Sequence, residues 1–193
     1  MGFNSTGCAT INHLHFQLLK HTEFFEDGLT SVQKAKRELI PLDRVICYSF
    51  LLFDSNINKE SNGFLLEEIT DYLVRGFVAR PAEDRSKLNL LEDLAAFVWK
   101  IVSVLLEKQI AHNLLITGEG VFIFPRKFHT YCQNPYLKTG FGDLMGAAIC
   151  KSEEGFDKIT TEFFEKVFQE EVSLELTQFT ELKDEILRSF KSK

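Results

Sequence analysis

The chain has little of what marks several large classes of protein. Its four cysteines are widely scattered and form no C-x-x-C pair, which argues against a disulfide scaffold or a zinc knuckle and favours free thiols in a reducing compartment. It has no long basic run and a net charge of −6, so a nucleic-acid polymer is disfavoured as a partner. Because no apolar run approaches a membrane span and the N-terminus does not resemble a signal peptide, we expect a cytoplasmic protein without membrane contact.

The composition is otherwise that of a globular protein with an aromatic core. Apolar residues make up 45% and charged residues 26% of the 193 residues, and 19 residues are phenylalanine. The length suits one well-buried domain better than two, and no internal repeat or low-complexity tract is visible. We therefore expect residues 1–193 to form a single domain.

The spacing of apolar residues predicts a mixture of strands and helices. Strands are predicted over residues 9–19, 43–54, 112–117, 121–124 (ended by Pro125) and 144–151. Helices are predicted over residues 64–78, 87–109, 152–171 and 177–190. Residues 112–124 form a hairpin around Gly118-Glu119-Gly120. This pattern indicates an α+β fold built around a largely antiparallel sheet.

The most informative segment is residues 10–17, Thr-Ile-Asn-His-Leu-His-Phe-Gln. In a strand, alternate side chains share a face, so His13, His15 and Gln17 would lie together while Phe16 points the other way into a core. Two imidazoles and an amide in a row suit a site that handles phosphate. Two alternatives remain open: purely structural histidines, or a metal site, for which Gln17 would be a poor third ligand.

The residues around this segment carry a resemblance to a known family. Residues 2–17 closely resemble the active-site strand of the GDP-L-galactose and GDP-D-glucose phosphorylases, on the nucleotidylyltransferase branch of the histidine-triad superfamily. Residues 110–117, 121–127, 134–135 and 143–146 are similar to later segments of the same enzymes. The resemblance implies a histidine-triad-like, largely antiparallel sheet with packed helices.

The resemblance also implies an activity and a set of site residues. GDP-hexose and inorganic phosphate would be converted to hexose 1-phosphate and GDP through a guanylyl-histidine intermediate, without a cofactor or metal. His15 would be the catalytic nucleophile. Phosphate-binding or supporting roles would fall to His13, Gln17, Asn4, Thr10 and Arg126. Arg126 and Lys127 follow the predicted hairpin, where a solvated basic turn is the alternative to a phosphate contact.

The resemblance covers only the C-terminal part of the family. The chain has no Gly-His dipeptide, and Ala147 stands where the family usually has a histidine. We therefore expect an incomplete copy of the family domain, whose open sheet edge is covered by a homodimer contact or by the missing N-terminal half. On this interpretation the intact protein is the enzyme, and the chain by itself need not be active. Two other interpretations stay open: a non-catalytic binding or scaffold module that retains the histidine strand, and a nucleotide hydrolase of the same superfamily.

Overall fold

The computed structural model describes residues 1–4, 16–17, 36–39, 63–82, 90–128, 134–137, 139–146, 150 and 152–191. Within them one antiparallel sheet has seven strands: β1 (Gly2–Asn4), β2 (Phe16–Gln17), β3 (Lys36–Leu39), β4 (Phe64–Asp71), β5 (Gly76–Pro81), β6 (Ala111–Ile116) and β7 (Val121–Arg126). The helices are α1 (Leu90–Glu107), α2 (Phe141–Leu144), α3 (Glu153–Lys158), α4 (Thr161–Val167), a π-helix (Phe168–Val172) and α5 (Leu176–Lys191). The predicted α+β fold is confirmed.

The strand order β2-β1-β6-β7-β5-β4-β3 gives the sheet two differently covered faces. Helices α1 and α5 pack on one of them, which we call the α1–α5 face. Helices α2 and α4 and the π-helix cover the other, which we call the α2–α4 face. Because side chains alternate along a strand, each of the central strands contributes to both cores.

The core of the α1–α5 face is built from stacked phenylalanines. Phe77 of β5 and Phe179 of α5 lie 4.8 Å apart between ring centroids with nearly parallel planes. Phe97 of α1 lies between Phe64 of β4, at 5.3 Å, and Phe190 of α5, at 5.1 Å. These contacts tie both long helices to the sheet, because aromatic pairs add to the free energy already gained by burying their area.

The periodicity of residues 87–109 correctly predicts α1. Leu94, Val98, Ile101 and Leu105 pack on the sheet, whereas Leu91, the first position of the pattern, is exposed. Glu92 and Asp93 lie in the first turn, where a negative charge interacts favourably with the helix dipole. The helix ends at Glu107, and Gln109, two residues later, adopts a left-handed φ of 56°. Ile110 N donates to Leu105 O and Gln109 N donates to Leu106 O, which is the pattern of a Schellman cap.

The 112–124 hairpin and the last helix are also confirmed, as β6–β7 and α5. The expectation that Pro125 ends the second strand is wrong. Pro125 pairs with His112, and β7 continues to Arg126, which pairs with Ala111. The neighbour of β7 on its other side is β5, whose last pair with it is Phe77 with Ile123. At Pro125, β7 is therefore paired with β6 and no longer with β5. The missing N–H of proline does not interrupt pairing with β5, so the strand can continue through it.

The helix predicted over residues 64–78 is wrong, since these residues form most of the β4–β5 hairpin. Leu65, Leu66 and Ile69 fit a helical spacing, but β4 pairs residue by residue with β5 on one side and with β3 on the other, and this pairing decides the outcome. Glu67 points to one face and pairs with Arg80 at 2.7 Å, while Glu68 points to the other and pairs with Lys183 at 2.8 Å. Partners distant in the sequence therefore override the local pattern.

Two further predictions need correction in the C-terminal half. Residues 144–146 are not part of a strand: Leu144 ends α2, and Gly146 adopts a left-handed φ of 94°. Of the rest of the predicted strand 144–151, the structure describes Cys150, which forms an isolated antiparallel bridge with Leu137. The helix predicted over residues 152–171 begins at Ser152 as expected, with the serine Oγ accepting from Gly155 N. It is interrupted at Thr160, whose hydroxyl caps a second helix by accepting from Phe163 N at 3.2 Å.

The two predicted N-terminal strands are only partly testable. Of residues 9–19 the structure describes Phe16 and Gln17, which form β2, and residues 43–54 lie outside the described residues. The sheet nevertheless has more strands than the sequence predicts, because β1, β3, β4 and β5 are not among the predicted strands.

Candidate functional site

The register of the sheet connects the end of the histidine segment to the middle of the fold. Gln17 of β2 is directly opposite Gly2 of β1, and Gly2 is opposite Leu115 of β6. Asn4 of β1 is opposite Asn113 of β6. Since directly paired residues of antiparallel strands share a face, positions 4 and 17 belong to the α2–α4 face.

This register agrees with the alternation predicted for the segment. Phe16 is opposite Phe3, and Phe3 is opposite Leu114, which packs in the core of the α1–α5 face. Positions 16 and 17 therefore belong to opposite faces, as the sequence predicts. The structure describes the backbone of Asn4 and Gln17, whereas His13, His15 and Thr10 lie outside the described residues. Their assignment to the site stays a prediction.

Arg126 lies in the interior, at the end of β7. Its side chain is buried on the α2–α4 face, and Nη1 donates to Asn113 Oδ1 at 3.0 Å and to Thr139 O at 2.7 Å. A longer contact of 3.4 Å joins Nη2 to Thr139 Oγ1. The alternative of a solvated basic turn is therefore wrong for this residue, because β7 carries it into the core.

Lys127, the next residue, points to a different neighbourhood. Its ammonium donates to Glu170 O at 2.9 Å and pairs with Glu175 at 2.7 Å. This ion pair holds the pKa of the Glu175 carboxyl below its usual range. Lys127 thus fastens β7 to the segment that joins the π-helix to α5, and Arg126 is the basic residue that faces Asn113.

The segment 139–146 covers Arg126 and packs on β1 and β6 through α2. It begins with Thr139 at a φ of 51°, a left-handed conformation that is costly for a β-branched residue. Two residues then close the turn: Gly140 N donates to Asp143 Oδ2 at 2.9 Å, and the Asp143 side chain is fully buried. The strained backbone presents the Thr139 carbonyl to Arg126, and such strain is most common at functional sites.

We call Asn113, Arg126, Thr139 and Asp143 the buried polar cluster. Every member is at most 3% exposed. Arg126 is hydrogen-bonded to Asn113 and Thr139, and Asp143 accepts from Gly140, the residue after Thr139. Burying polar groups costs free energy unless they are hydrogen-bonded, so these contacts hold the side chains in fixed positions. The cluster provides a pre-oriented amide and a guanidinium charge on the sheet face to which positions 4 and 17 belong, which is suited to stabilising an anion nearby.

The sequence identified only part of this cluster. Arg126 was a candidate and Asp143 was noted in the family resemblance, but Asn113 and Thr139 were missed as functional residues. The signal for Asn113 was an amide within an apolar strand, at a position sharing the face of Leu115. Thr139 gave no such signal, because its importance lies in its backbone conformation.

His112 belongs to the opposite face and is separate from the cluster. It is buried, and its Nδ1 lies 3.1 Å from Ile110 O, to which it donates because a carbonyl only accepts. Burial lowers the pKa of the imidazole, and the hydrogen bond to Ile110 opposes that shift.

Within the residues that the structure describes, no group of three or more His, Cys, Asp or Glu side chains is arranged to hold a metal ion. No helix in this part of the chain is long and apolar enough to cross a membrane.

Comparison with known proteins identifies the family. The family described as GDPGP1-like, C-terminal domain, matches residues 53–193, which include β4 to α5 and the buried polar cluster. The histidine segment precedes the matched range. Comparisons with curated proteins and with solved structures gave no match. The match covers most of the chain, and it agrees with the resemblance to the C-terminal part of the GDP-hexose phosphorylases. The chain therefore belongs to the GDPGP1-like, C-terminal domain family.

Proposed function

We propose that the protein is a GDP-hexose phosphorylase-like nucleotidylyltransferase whose nucleophile is His15. The family match supports the general activity, and the His13-x-His15-x-Gln17 segment supports the type of chemistry. The observation that carries the proposal is the strand register. It sets position 17, where the histidine segment ends, on the sheet face that holds Asn113 and Arg126.

In the first step, a neutral imidazole nitrogen of His15 attacks the α-phosphorus of GDP-hexose. An N–P bond forms, and the bond from the α-phosphorus to the bridging oxygen breaks. Hexose 1-phosphate leaves with the electron pair. Because the attacking nitrogen must carry a lone pair, the other ring nitrogen holds the proton and donates it to a hydrogen-bond acceptor.

In the second step, an oxygen of inorganic phosphate attacks the guanylyl-histidine. A P–O bond forms, the N–P bond breaks, and GDP is released with His15 restored to its neutral form. Negative charge grows on the non-bridging oxygens in both steps, so hydrogen-bond donors are required beside them. We assign this role to Gln17, with His13, Asn4 and Thr10 as supporting contacts.

Arg126 contributes through the cluster. Its guanidinium holds the Asn113 amide and the Thr139 carbonyl, and it adds positive charge on the same face. Electrostatic stabilisation of this kind is strongest where water is excluded and the groups are already oriented. Arg126 is therefore a supporting residue for phosphate.

The test is detection of the covalent intermediate. The protein is incubated with GDP-D-glucose or GDP-L-galactose labelled at the α-phosphate, and an acid-labile adduct is sought. We expect label on the wild type and on the control His129→Ala, and none on His15→Ala. Label that persists in His15→Ala overturns the nucleophile assignment. A folded wild type that forms no adduct and no GDP, even when mixed with an N-terminal half of the family domain, contradicts the enzyme and supports the binding-module alternative.

A further inference from the structure

A second concave surface lies at the end of segment 139–146, where Gly146 lines it. It is an open cleft of about 680 Å³ between the end of β4, the end of α2 and the α3–α4 connection. This volume is within the range of small-molecule sites, roughly 300–1,000 Å³. Gly146, which ends the α2 turn in a left-handed conformation, forms part of its wall. No role has been assigned to this cleft above.

The floor of the cleft is aromatic and fixed. Phe164 of α4 lies at its base and packs against Phe168 at 4.8 Å between ring centroids. Tyr72 forms the adjoining wall, and its hydroxyl donates to Leu144 O at 2.8 Å. Burial raises the pKa of that phenol, so it stays a donor to Leu144 at physiological pH. What the floor offers a ligand is therefore ring surface.

The rim of the cleft is rich in hydrogen-bond acceptors. Asp71 lies on one side, and Glu165 and Gln169, four residues apart on consecutive helical turns, lie on the other. All three side chains are exposed. Among the described residues that line the cleft, none is a lysine or arginine. Two carboxylates without a nearby lining cation repel phosphate, whereas they accept hydrogen bonds from hydroxyl groups.

An aromatic floor with carboxylate and amide acceptors at the rim fits a neutral ring that carries several hydroxyl groups. The C–H surface of such a ring packs on aromatic carbon, and its hydroxyls donate to Asp71, Glu165 and Gln169. A nucleoside diphosphate fits poorly, because its charge would face the carboxylates. The chemistry of the cleft therefore separates sugar from phosphate.

We propose that this cleft binds the hexose ring of the GDP-hexose, an assignment that rests on the function proposed above. One segment connects the two places: the Thr139 carbonyl at its start is held by Arg126, and the Leu144 carbonyl near its end is held by Tyr72. The phosphate and the sugar would then be held near the two ends of residues 139–146, with the guanidinium at Thr139 and the acidic rim near Gly146.

The test compares sugar-dependent with nucleotide-dependent binding. Glu165→Gln and Asp71→Asn remove the carboxylates with little change in shape, and Glu162→Gln, an exposed residue of α4 that does not line the cleft, is the matched control. We expect Glu165→Gln to raise the Kd for GDP-hexose about tenfold, since hydrogen bonds to charged groups are worth about 1.5–3 kcal/mol. The Kd for GDP should stay within about twofold in every variant.

A larger loss of affinity for GDP-hexose than for GDP in the two cleft variants identifies the cleft as the sugar site. This result can be distinguished from a failure of the proposed function. An unchanged ratio of GDP-hexose to GDP affinity in both cleft variants overturns the cleft assignment, even if phosphorolysis is observed. A second measurement follows the Gln169 side-chain amide by NMR as hexose 1-phosphate is added. A shift at Gln169 in a protein that forms no adduct keeps the sugar site and rejects the transferase. No shift and no selective loss of affinity rejects the cleft.

Discussion

The two faces of the sheet are built on different principles. The α1–α5 face is covered by two long helices of 18 and 16 residues and filled almost entirely with apolar side chains. The α2–α4 face is covered by short helices and turns, and it contains the buried polar cluster as well as its own apolar core. The same strands form both faces, so the faces differ in the helices and turns that cover them.

This difference separates stability from chemistry within one sheet. A well-packed aromatic face supplies free energy through area removed from water. A face with buried hydrogen-bonded groups and a left-handed Thr139 costs free energy, which the opposite face offsets. Substitutions on the two faces should therefore have effects of different kind as well as different size.

The largest loss of stability should come from the α1–α5 face. Phe179→Ala removes a fully buried ring that stacks on Phe77. We expect the free energy of unfolding to fall by about 3–5 kcal/mol, which is typical of Phe→Ala in a core. Urea denaturation measures it, with the exposed Phe156→Ala on α3 as control, expected within about 0.5 kcal/mol. A loss below 1 kcal/mol would show that this face is not the main source of stability.

On the α2–α4 face, Arg126→Met should have an intermediate effect. Methionine fills much of the volume but takes a charged donor from Asn113 and Thr139, so we expect a loss of about 1–3 kcal/mol. The exposed Arg188→Met is the control. If Arg126→Met were as stable as wild type while phosphorolysis fell, the residue would serve chemistry alone; unchanged stability and activity would exclude both roles.

How far the sequence predicts each face follows from this contrast. Helices α1 and α5 and the β6–β7 hairpin were predictable, because burial on one side of a helix or strand imposes a period in the chain. The β4–β5 hairpin was not, since β4 is held as a strand by pairing with β3 and β5, which only the fold supplies. Nothing in residues 64–78 considered alone indicates those partners.

For the candidate site, the sequence names residues by their chemistry but gives no geometry. The His13-x-His15-x-Gln17 spacing suggested a shared face, and Arg126 was named as a candidate. Its burial depended on β7 continuing beyond Pro125, and its contact with Thr139 depends on a left-handed backbone. Backbone conformation of this kind leaves no pattern in the sequence when the residue is threonine.

Gln17→His tests the chemistry of the α2–α4 face directly. Glutamine donates a hydrogen bond but transfers no proton, which suits hexose 1-phosphate as a leaving group because its second pKa is about 6. A histidine there would suit poorer leaving groups and activate water. We expect the ratio of GMP to GDP formed to rise about tenfold, at the low end of general acid–base effects. Product analysis with Gln17→Asn as control measures it, and unchanged partitioning would contradict the role of Gln17.

The next prediction concerns the pH dependence of stability. Among the described residues, His112 is the one buried titratable group on the α1–α5 face. Its pKa in the folded state is below the ordinary 6.5, so the unfolded chain binds more protons as the pH falls below that value. Stability is then complete above about pH 6.5 and declines toward lower pH, by at most about 1.4 kcal/mol per pH unit. Denaturation at pH 5 and 7.5 should show a smaller difference in His112→Gln than in wild type; equal differences would exclude His112 as the cause.

The smallest losses of stability should come from substitutions of Glu67 and Glu68. These two residues are adjacent in β4 but point to opposite faces of the sheet, so their variants compare the two faces at one place. Glu68→Gln breaks a single half-exposed pair with Lys183, and we expect a loss of about 0.2–1 kcal/mol. Glu67→Gln should cost more, because Glu67 pairs with Arg80 and also lies 3.5 Å from Arg37, which pairs with Glu119 at 2.5 Å. Both losses should shrink in 1 M salt, where the screening length is about 3 Å, but the loss for Glu67 should shrink less, since its carboxylate is the less exposed of the two. Equal losses that vanish together in salt would mean that the two faces do not differ in how they hold charge at this strand.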